Sequence, residues 1–281
     1  LRAKAEERLN VSTALRHALE LNELTVHYQP VIDLSTGAMV SAEALVRWNR
    51  PDGAPIGPAD FIPIAEETGL IIPIGAWVLE QACRELSRWQ RSDPAMSVAV
   101  NLSVLQVLAP DILQQIEGVL ERTRIRPESL CRELTESVFM HDIDYFGKML
   151  TGLKNLGVQL SLDDFGTAYS SLSYLSRFPF DAVKIDQGFV RGLGVNPHDT
   201  ALVAAILSMA DALGLSVTAE GIEDDVQLAL LKQMHCQRGQ GFYLDRAMSA
   251  DALSQLLARS QPWRAHPVGL PPAPSRAPPG L

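Results

Sequence analysis

The chain has 281 residues, of which 47% are hydrophobic and 20% are charged, and its formal net charge is −9. This composition is typical of a globular protein with a sizeable core, and the acidic balance argues against a polymeric nucleic acid as partner, because general nucleic-acid binders need a basic surface. The 3 cysteines lie far apart and form no CxxC pair, which indicates a reducing compartment and excludes a thiolate zinc site.

The two ends of the chain differ from its middle. Residues 1–20 predict a helix or linker that enters the domain, which we expect to span 15–261, and the Pro-rich segment 262–281 predicts a disordered tail. The sequence shows no secretory signal and no apolar run of the roughly 18 residues that cross a bilayer, so we expect no membrane contact and a cytoplasmic location. Because no initiator Met is present, we expect a piece of a longer protein, whose missing N-terminal part could carry a membrane anchor.

Between the ends, β-branched apolar runs alternate with helical patterns. Strands are predicted at 24–34, 38–48, 96–103, 130–137, 158–165, 181–187, 215–221 and 235–243. Two helices are predicted within 61–90, and others at 110–123, 142–156, 198–213, 224–234 and 249–260. Repeated βα units indicate a parallel sheet covered by helices, and eight strands favour a closed, TIM-like (β/α)8 barrel of the α/β class. The turn at 35–37 is too short for a parallel crossover, so one of the first two strands should run antiparallel and make the barrel irregular.

Polar side chains interrupt these apolar strands near seven successive strand ends. They are Glu43, Asn101, Glu133, Glu136, Asp163, Asp164, Lys184, Asp186, Glu220, Glu223 and Gln240. In such a barrel the C-terminal rim is where loops build active sites. Converging carboxylates need raised pKa values or bound cations, and an all-oxygen ligand set favours Mg²⁺ or Mn²⁺ over zinc or copper.

The adjacent pair Asp163–Asp164 is well suited to holding two such ions. Two ions would bind a nucleophilic water and stabilise the leaving oxygen of a phosphodiester, while Lys184 would orient that water or neutralise charge. Each residue also has a structural explanation. These alternatives are an ion pair of Glu43 with Arg47 or of Lys184 with Asp186, a loop cap at Asn101, and solvated positions for the aspartates and for Glu133 and Glu136. The coincidence on successive strand ends favours a functional site.

The segment EALVRW at 43–48 resembles the signature of the EAL-domain family of cyclic di-GMP phosphodiesterases. The similarity runs over roughly residues 15–260 and includes, in family order, YQPVIDL, DFIPIAEETGLI, VNLS, ELTES, DDFGTAYSSL, VKID, AEGIE and QGFYLDRAM. The resemblance implies an irregular (β/α)8 barrel that uses two Mg²⁺ or Mn²⁺ ions to cleave this bacterial second messenger to linear pGpG. It also implies a homodimer, and we expect an upstream sensory or diguanylate cyclase-like domain in the full-length protein.

The resemblance also implies a role for each site residue. Metal ligation would fall to Glu43, Asn101, Glu133 and Asp163, with Asp164 at the second ion, Lys184 acting on the attacking water, and Glu220 serving as general base or as water-mediated metal partner. Gln29, Arg47 and Gln240 would contact the ligand or shape its pocket, and a guanidinium such as that of Arg47 suits phosphate or guanine edges. Glu136 and Glu223 would brace the loop 165–171, which couples the site to the dimer interface in family members.

Two motifs depart from the family pattern. Ala168 replaces the second glycine of GTGYSS, and Arg246-Ala247-Met248 replaces Arg-Pro-Leu, but neither change removes a metal ligand. The alternative function is a catalytically silent cyclic di-GMP receptor. Degenerate members of that kind usually lack the EAL glutamate or the Asp-Asp pair, and both are intact here. A metal-assisted enolising enzyme with Lys184 as base would explain neither Asn101 nor the adjacent aspartates.

Overall fold

The structure is a computed structural model that describes residues 2–50, 55–136, 143–166, 175 and 177–259. Its strands are β1 Leu24–Asp33, β2 Met39–Trp48, β3 Ser97–Asn101, β4 Leu130–Thr135, β5 Gln159–Phe165, β6 Ala182–Ile185, β7 Ser216–Ala219, β8 Arg238–Gly239 and β9 Met248–Ser249. Its helices are α1 Arg2–Ala18, α2 Pro58–Glu67, α3 Ile71–Trp89, α4 Val104–Val107, α5 Ile112–Thr123, α6 Ile143–Asn155, α7 Gln187–Arg191, α8 Pro197–Leu213, α9 Asp225–Gln233 and α10 Ala250–Ala258. The Pro-rich tail and Ala168 lie outside the described residues.

Within this part of the chain, strands β1 to β8 close a barrel. The order is β2-β3-β4-β5-β6-β7-β8-β1, and β1 pairs with β2 to complete the circle. The pairs from β2 to β8 are parallel, whereas β1 runs antiparallel to both of its neighbours. The predicted irregular barrel with one antiparallel strand is therefore confirmed. No described helix combines the length and the apolar character needed to cross a membrane.

The turn between β1 and β2 explains why the first pair is antiparallel. Asp33 Oδ1 accepts hydrogen bonds from the backbone N–H of Ser35 at 3.0 Å and of Thr36 at 2.8 Å, which closes an Asx turn. Gly37 then takes a φ of 73°, which a glycine adopts at little energetic cost. These contacts fold β2 straight back along β1.

The last barrel strand is shorter than the predicted 235–243, because β8 contains only Arg238 and Gly239. The chain leaves the sheet at Gly241, where a Cβ atom would collide with the backbone of Ile222. It returns as β9, a short strand that the sequence did not predict and that pairs with β1 at Tyr28 and Met248.

The two faces of the barrel strands differ in chemistry. The outward positions are apolar and almost fully buried, as at Val98, Leu160, Leu162, Val183 and Val217. Since side chains alternate along a strand, the intervening positions face the barrel axis. These inward residues are small or polar, and many of them line one interior cavity: Ser41, Ala99, Cys131, Ser161, Ala182 and Thr218. Parallel barrels of this type usually fill their axis with bulky branched side chains.

Candidate active site

The barrel brings the polar residues of the predicted site to one rim. Glu43 lies near the middle of the long strand β2, and Asn101, Glu133, Asp163 and Lys184 lie toward the C-terminal ends of β3, β4, β5 and β6. Asn101 pairs directly with Glu133, whereas Glu43 pairs with Ala99, two residues before Asn101, and Glu133 pairs with Ser161, two residues before Asp163. Glu220 directly follows β7 and Gln240 directly follows β8. The predicted convergence of strand ends therefore places these side chains around a common centre.

Lys184 lies at the centre of this acidic cluster. Its Nζ is 2.6 Å from Glu220 Oε1, 3.1 Å from Glu133 Oε2, 3.2 Å from Glu43 Oε2 and 3.4 Å from Asp163 Oδ1. The side chain of Lys184 is only 4% exposed, and those of Glu43 and Glu133 are similarly buried. One buried ammonium group thus faces four carboxylates that come from four different strands or strand ends.

Two amide side chains fix the orientation of the glutamates. Gln240 Nε2 donates to Glu43 Oε2 at 2.7 Å and to Glu220 Oε1 at 3.0 Å. Asn101 Nδ2 donates to the other oxygen of Glu43 at 3.0 Å. Both oxygens of Glu43 are therefore held by hydrogen bonds, which leaves this carboxylate little freedom to rotate.

A β-bulge at the end of β5 brings Asp163 and Asp164 toward the same site. Adjacent residues of a regular strand point to opposite faces, but the pairing of β5 with β6 shifts register between Leu162 and Phe165. Asp164 adopts a φ of 55°, in the left-handed region that few non-glycine residues occupy. As a result, carboxylate oxygens of Asp163, Asp164 and Glu220 lie within 4.8 Å of one another.

Burial and charge shift the pKa values of this cluster in opposite directions. Burial raises the pKa of Glu220 to about 7, against the opposing effect of Lys184. Burial also raises the pKa of Glu133 well above its usual range, and the surrounding carboxylates add to that increase. For Glu43, burial would raise the pKa, but Lys184 and the two amide groups together lower it. Burial likewise opposes the charge of Lys184, yet the carboxylates raise its pKa well above the usual value, so it stays protonated.

These contacts decide between the structural alternatives. The ion pair that Glu43 makes in the structure is with Lys184, while Arg47 donates from Nη1 to the carbonyl of Val46 at 2.9 Å. Asp186 caps α7 by accepting the N–H of Gly188 at 2.9 Å, whereas Lys184 pairs with the cluster. A lysine that remains protonated also argues against an enolising enzyme with Lys184 as its base.

Arg47 lies beside the cluster, in a largely apolar pocket of about 260 Å³. The pocket lies between the ends of β2 and β3 and the helices α2 and α3, with walls that include Ile62, Ile71 and Val78. Its polar residues include Arg47, Asn101, Glu133 and Glu66. Burial raises the pKa of the Glu66 carboxyl. Gln29, which pairs with Glu43 across β1 and β2, donates to the carbonyl of Asp245 at 3.4 Å.

Glu136 and Glu223 lie away from the centre of the cluster. Glu136 is buried, and its Oε1 accepts the N–H of Gly166 at 3.5 Å, at the start of the loop that follows β5. Glu223 is exposed and forms an ion pair with Arg191 of α7 at 3.5 Å. Residues 167–171 of that loop lie outside the described residues, so the bracing role of the two glutamates stays a prediction.

Sequence reasoning missed two residues that the structure places next to the site. Arg132 is 0% exposed on the outer side of β4, and its Nη2 donates to the backbone carbonyl of Asn101 at 3.2 Å. Burial lowers the pKa of Arg132 to about 10. The sequence signal that could have identified Arg132 is a single arginine within a buried strand. Glu66 lies on a helix, where nothing in the pattern separates it from a solvated glutamate.

The donor set of the cluster fits a hard divalent cation. Every candidate ligand is an oxygen atom, supplied by carboxylates and by the side-chain amide of Asn101. Oxygen ligands suit Mg²⁺ and Mn²⁺, which also lower the repulsion among carboxylates gathered at one place. Among the described residues, Asp163, Asp164 and Glu220 bring three carboxylate oxygens within 4.8 Å of one another, which is close enough to share one ion.

Comparisons with known proteins agree with this geometry. The family model described as the EAL domain matches residues 12–247. The bifunctional diguanylate cyclase/cyclic di-GMP phosphodiesterase MucR of Pseudomonas aeruginosa is 42% identical over 254 residues, which are 90% of this chain and 37% of that protein. The cyclic di-GMP phosphodiesterase PdeR of Escherichia coli is 41% identical over 253 residues, which are 90% of this chain and 38% of that protein. The chain thus spans well under half the length of these relatives.

A solved structure of the phosphodiesterase PaMucR in complex with c-di-GMP has a similar fold. It matches with a TM-score of 0.84 and 41% identity, and the match covers 87% of this chain and 99% of that chain.

Proposed function

This chain belongs to the EAL domain family, and we propose that it hydrolyses one phosphodiester bond of cyclic di-GMP to give linear pGpG. The observation that carries the proposal is the cluster around Lys184, in which four carboxylates from separate strand ends meet within 3.4 Å of one ammonium group. Such a concentration of buried acids is unfavourable for folding alone. It is expected where cations and a reacting phosphate are to be bound.

We assign the metal ligands to the residues that the cluster already gathers. They are Glu43, Asn101, Glu133, Asp163, Asp164 and Glu220, and two Mg²⁺ or Mn²⁺ ions would fit this set. When bound, such ions supply a nucleophilic water and stabilise the charge on the leaving oxygen. Gln240 and Asn101 would keep the Glu43 carboxylate oriented, which is the contribution of the protein to a fixed coordination geometry.

Glu220 and Lys184 are the residues that we propose for the proton and the charge. A carboxyl whose pKa is raised to about 7 by burial suits a general base near neutral pH, so Glu220 would take the proton of the attacking water. The water oxygen would bond to phosphorus as the bond from phosphorus to the ribose 3′ oxygen breaks, and that oxygen would take up a proton from solvent and leave as a hydroxyl. Lys184, which stays protonated, would offset the negative charge that develops during the attack.

The pocket beside Arg47 would hold one guanine base of the substrate. Its apolar walls suit the faces of the base, and Arg47 and Glu66 suit the edges. A carboxylate at Glu66 can accept hydrogen bonds from the N1–H and N2–H₂ groups of guanine, whereas adenine carries an acceptor at N1. Arg47 can donate two hydrogen bonds to a guanine edge or to a phosphate. Gln29 would complete the contacts at the rim, and Gln240, whose amide holds Glu43 and Glu220, would shape the site from below.

The remaining parts of the chain and its partners are also proposals. We propose a domain over residues 15–261, preceded by a linker helix and followed by a dispensable tail at 262–281. The domain would act as a homodimer in the cytoplasm, with Glu136 and Glu223 bracing the loop after β5. Because MucR is named as a bifunctional cyclase and phosphodiesterase, an upstream diguanylate cyclase-like or sensory domain would fit the full-length protein.

The test is to incubate the protein with Mn²⁺ and cyclic di-GMP and to measure pGpG by chromatography. We expect pGpG to form, to disappear with a chelator and to disappear in Glu43→Gln. Glu128→Gln is the matched control, because Glu128 is exposed at the other end of the barrel and pairs only loosely with Arg126, at 3.7 Å. Tight binding of cyclic di-GMP without any pGpG would contradict the proposal and identify a receptor instead.

A further inference from the structure

A polar cavity of about 210 Å³ occupies the axis of the barrel below the acidic cluster. Lys184, Glu133 and Gln240 form its upper end, and Asp181 and Arg238 lie toward its lower end. Between them the walls consist of the small inward residues of the strands. The cavity exists because Ser, Ala, Cys and Thr stand where bulky branched residues would otherwise fill a barrel of this type.

Two buried polar atoms of this cavity receive no hydrogen bond from the protein. Ser161 is 2% exposed and Gln240 is 5% exposed, and both line the cavity. Within the described part of the chain, neither Ser161 Oγ nor Gln240 Oε1 has a hydrogen-bond partner. A buried polar atom without a partner is destabilising, and such atoms are usually satisfied by ordered water. The two ends of the Gln240 amide can be told apart, because its Nε2 donates to two carboxylates and the atom without a partner is therefore the acceptor Oε1.

We propose that this cavity binds a column of ordered water molecules that holds Gln240 in place beneath the catalytic residues. At a share of about 30 Å³ for each molecule, the cavity has room for about seven of them. The occupant must donate a hydrogen bond to Gln240 Oε1 and fit between neutral hydroxyl and thiol groups. Water supplies that donor, which an apolar ligand lacks.

The water column has a consequence for the site through Gln240. Water bound to Ser161 Oγ and Gln240 Oε1 would fix the plane of the amide, and Gln240 Nε2 in turn orients Glu43 and Glu220. Ser161 is therefore a positioning residue, which acts on the cluster through water and through Gln240. This positioning role rests on the proposed function, whereas the presence of the water does not.

The experiment compares Ser161→Thr with Ser161→Val, because the two side chains have the same shape and only threonine keeps the hydroxyl. High-resolution crystal structures should show ordered water hydrogen-bonded to Gln240 Oε1 and to the hydroxyl at 161 in the parent and in Ser161→Thr. Ser161→Val should lose the water that bridges to position 161. Ser216→Ala is the matched control, because Ser216 lines the same cavity but its Oγ already donates to the Asp181 carbonyl at 3.2 Å.

Two solution measurements separate positioning from simple stability. For Ser161→Val we expect Mn²⁺ affinity and kcat each to fall by about fivefold, the effect of one lost hydrogen bond, with KM unchanged. Ser161→Thr and Ser216→Ala should stay near the parent in both. If Ser161→Val does not fold, Ser161→Ala, which keeps the space, should show the same losses.

The inference is overturned if the crystal structure of the parent shows no water on Ser161 Oγ and Gln240 Oε1. It is also overturned if Ser161→Thr and Ser161→Val bind Mn²⁺ equally well. Both readouts are independent of turnover, so a protein without phosphodiesterase activity would refute the proposed function and still decide this inference.

Discussion

Replacing Lys184 by Met tests whether one lysine holds the acidic cluster together in the absence of metal. Methionine has a similar length and keeps an apolar stem, but the substitution removes the one ammonium group that contacts the four carboxylates in the described part of the chain. Removing one partner of a buried ion pair lowers the free energy of unfolding by about 3–5 kcal/mol. At about 2–4 °C for each kcal/mol in a domain of this size, Tm should fall by about 6–20 °C.

The effect of Lys184→Met should depend on pH in a defined direction. Without the ammonium group, burial and mutual repulsion raise the folded-state pKa values of the carboxyls above their unfolded values, as they already do for Glu220, whose pKa is about 7. Groups with raised pKa values favour the folded state below their unfolded pKa and lose that contribution as pH rises through the folded pKa. The variant should therefore be least stable relative to the parent at pH 8, and its Tm should approach that of the parent toward pH 5.

Both expectations for Lys184→Met are tested by measuring Tm with circular dichroism between pH 5 and pH 8, once with a chelator and once with Mn²⁺. Because Mn²⁺ restores positive charge, its stabilising effect should be larger for Lys184→Met than for the parent. Lys154→Met is the control: Lys154 pairs with Asp181 at 2.7 Å, but both side chains are a quarter or more exposed, so Tm should change little and without dependence on Mn²⁺. An unchanged Tm for Lys184→Met at pH 8 without metal would refute the reasoning.

Five further changes test other parts of the site and the chain. Asp163→Asn should weaken Mn²⁺ binding and lower the maximal rate, whereas Arg47→Ala should mainly weaken substrate affinity, by about 1.5–3 kcal/mol. Rates measured as a function of the Mn²⁺ concentration and of the substrate concentration separate the two effects. A full rate for Asp163→Asn at ordinary Mn²⁺ concentrations would contradict the two-metal assignment. Glu66→Gln should reduce the preference for cyclic di-GMP over cyclic di-AMP by about 1–3 kcal/mol in competition binding, and an unchanged preference would remove Glu66 from base recognition. Arg132→Met should raise Tm, because an apolar residue replaces a fully buried guanidinium whose Nε and Nη1 bond to no described residue; a lower Tm would show that the guanidinium stabilises the fold. Truncation after Ser260 should leave Tm unchanged, and a large drop would show that the tail packs on the barrel.

The fold could be predicted from the sequence because its signals are local. Apolar β-branched runs alternate with helical patterns, and the short turn after Asp33 cannot carry a parallel crossover. The short β8 and the unexpected β9 could not be predicted in this way. The close approach of Gly241 to Ile222 that ends β8 is a contact between separate segments, and no local pattern encodes it.

The composition of the site was predictable, but its internal contacts were not. Polar residues at successive strand ends placed Glu43, Glu133 and Asp163 on one rim. The bulge that turns Asp164 toward the same site depends on backbone pairing between β5 and β6, which the sequence does not show. The polar interior was not predicted, although small residues such as Ser161 and Thr218 alternate with apolar ones along their strands.

The charge of the cluster links the binding of cations to the binding of substrate. One ammonium group cannot neutralise four carboxylates, and Asp164 adds a further acid whose pKa is raised by burial and by Asp163. Cyclic di-GMP carries two phosphates, so it would be repelled by this rim until divalent cations have bound. The carboxylates that Lys184 contacts on Glu43, Glu133 and Asp163 are also those that we propose as ligands of such cations. We therefore expect cations and substrate to strengthen each other's binding by the same factor, as linkage requires, and Lys184 to turn from the carboxylates toward the phosphate as the cations bind.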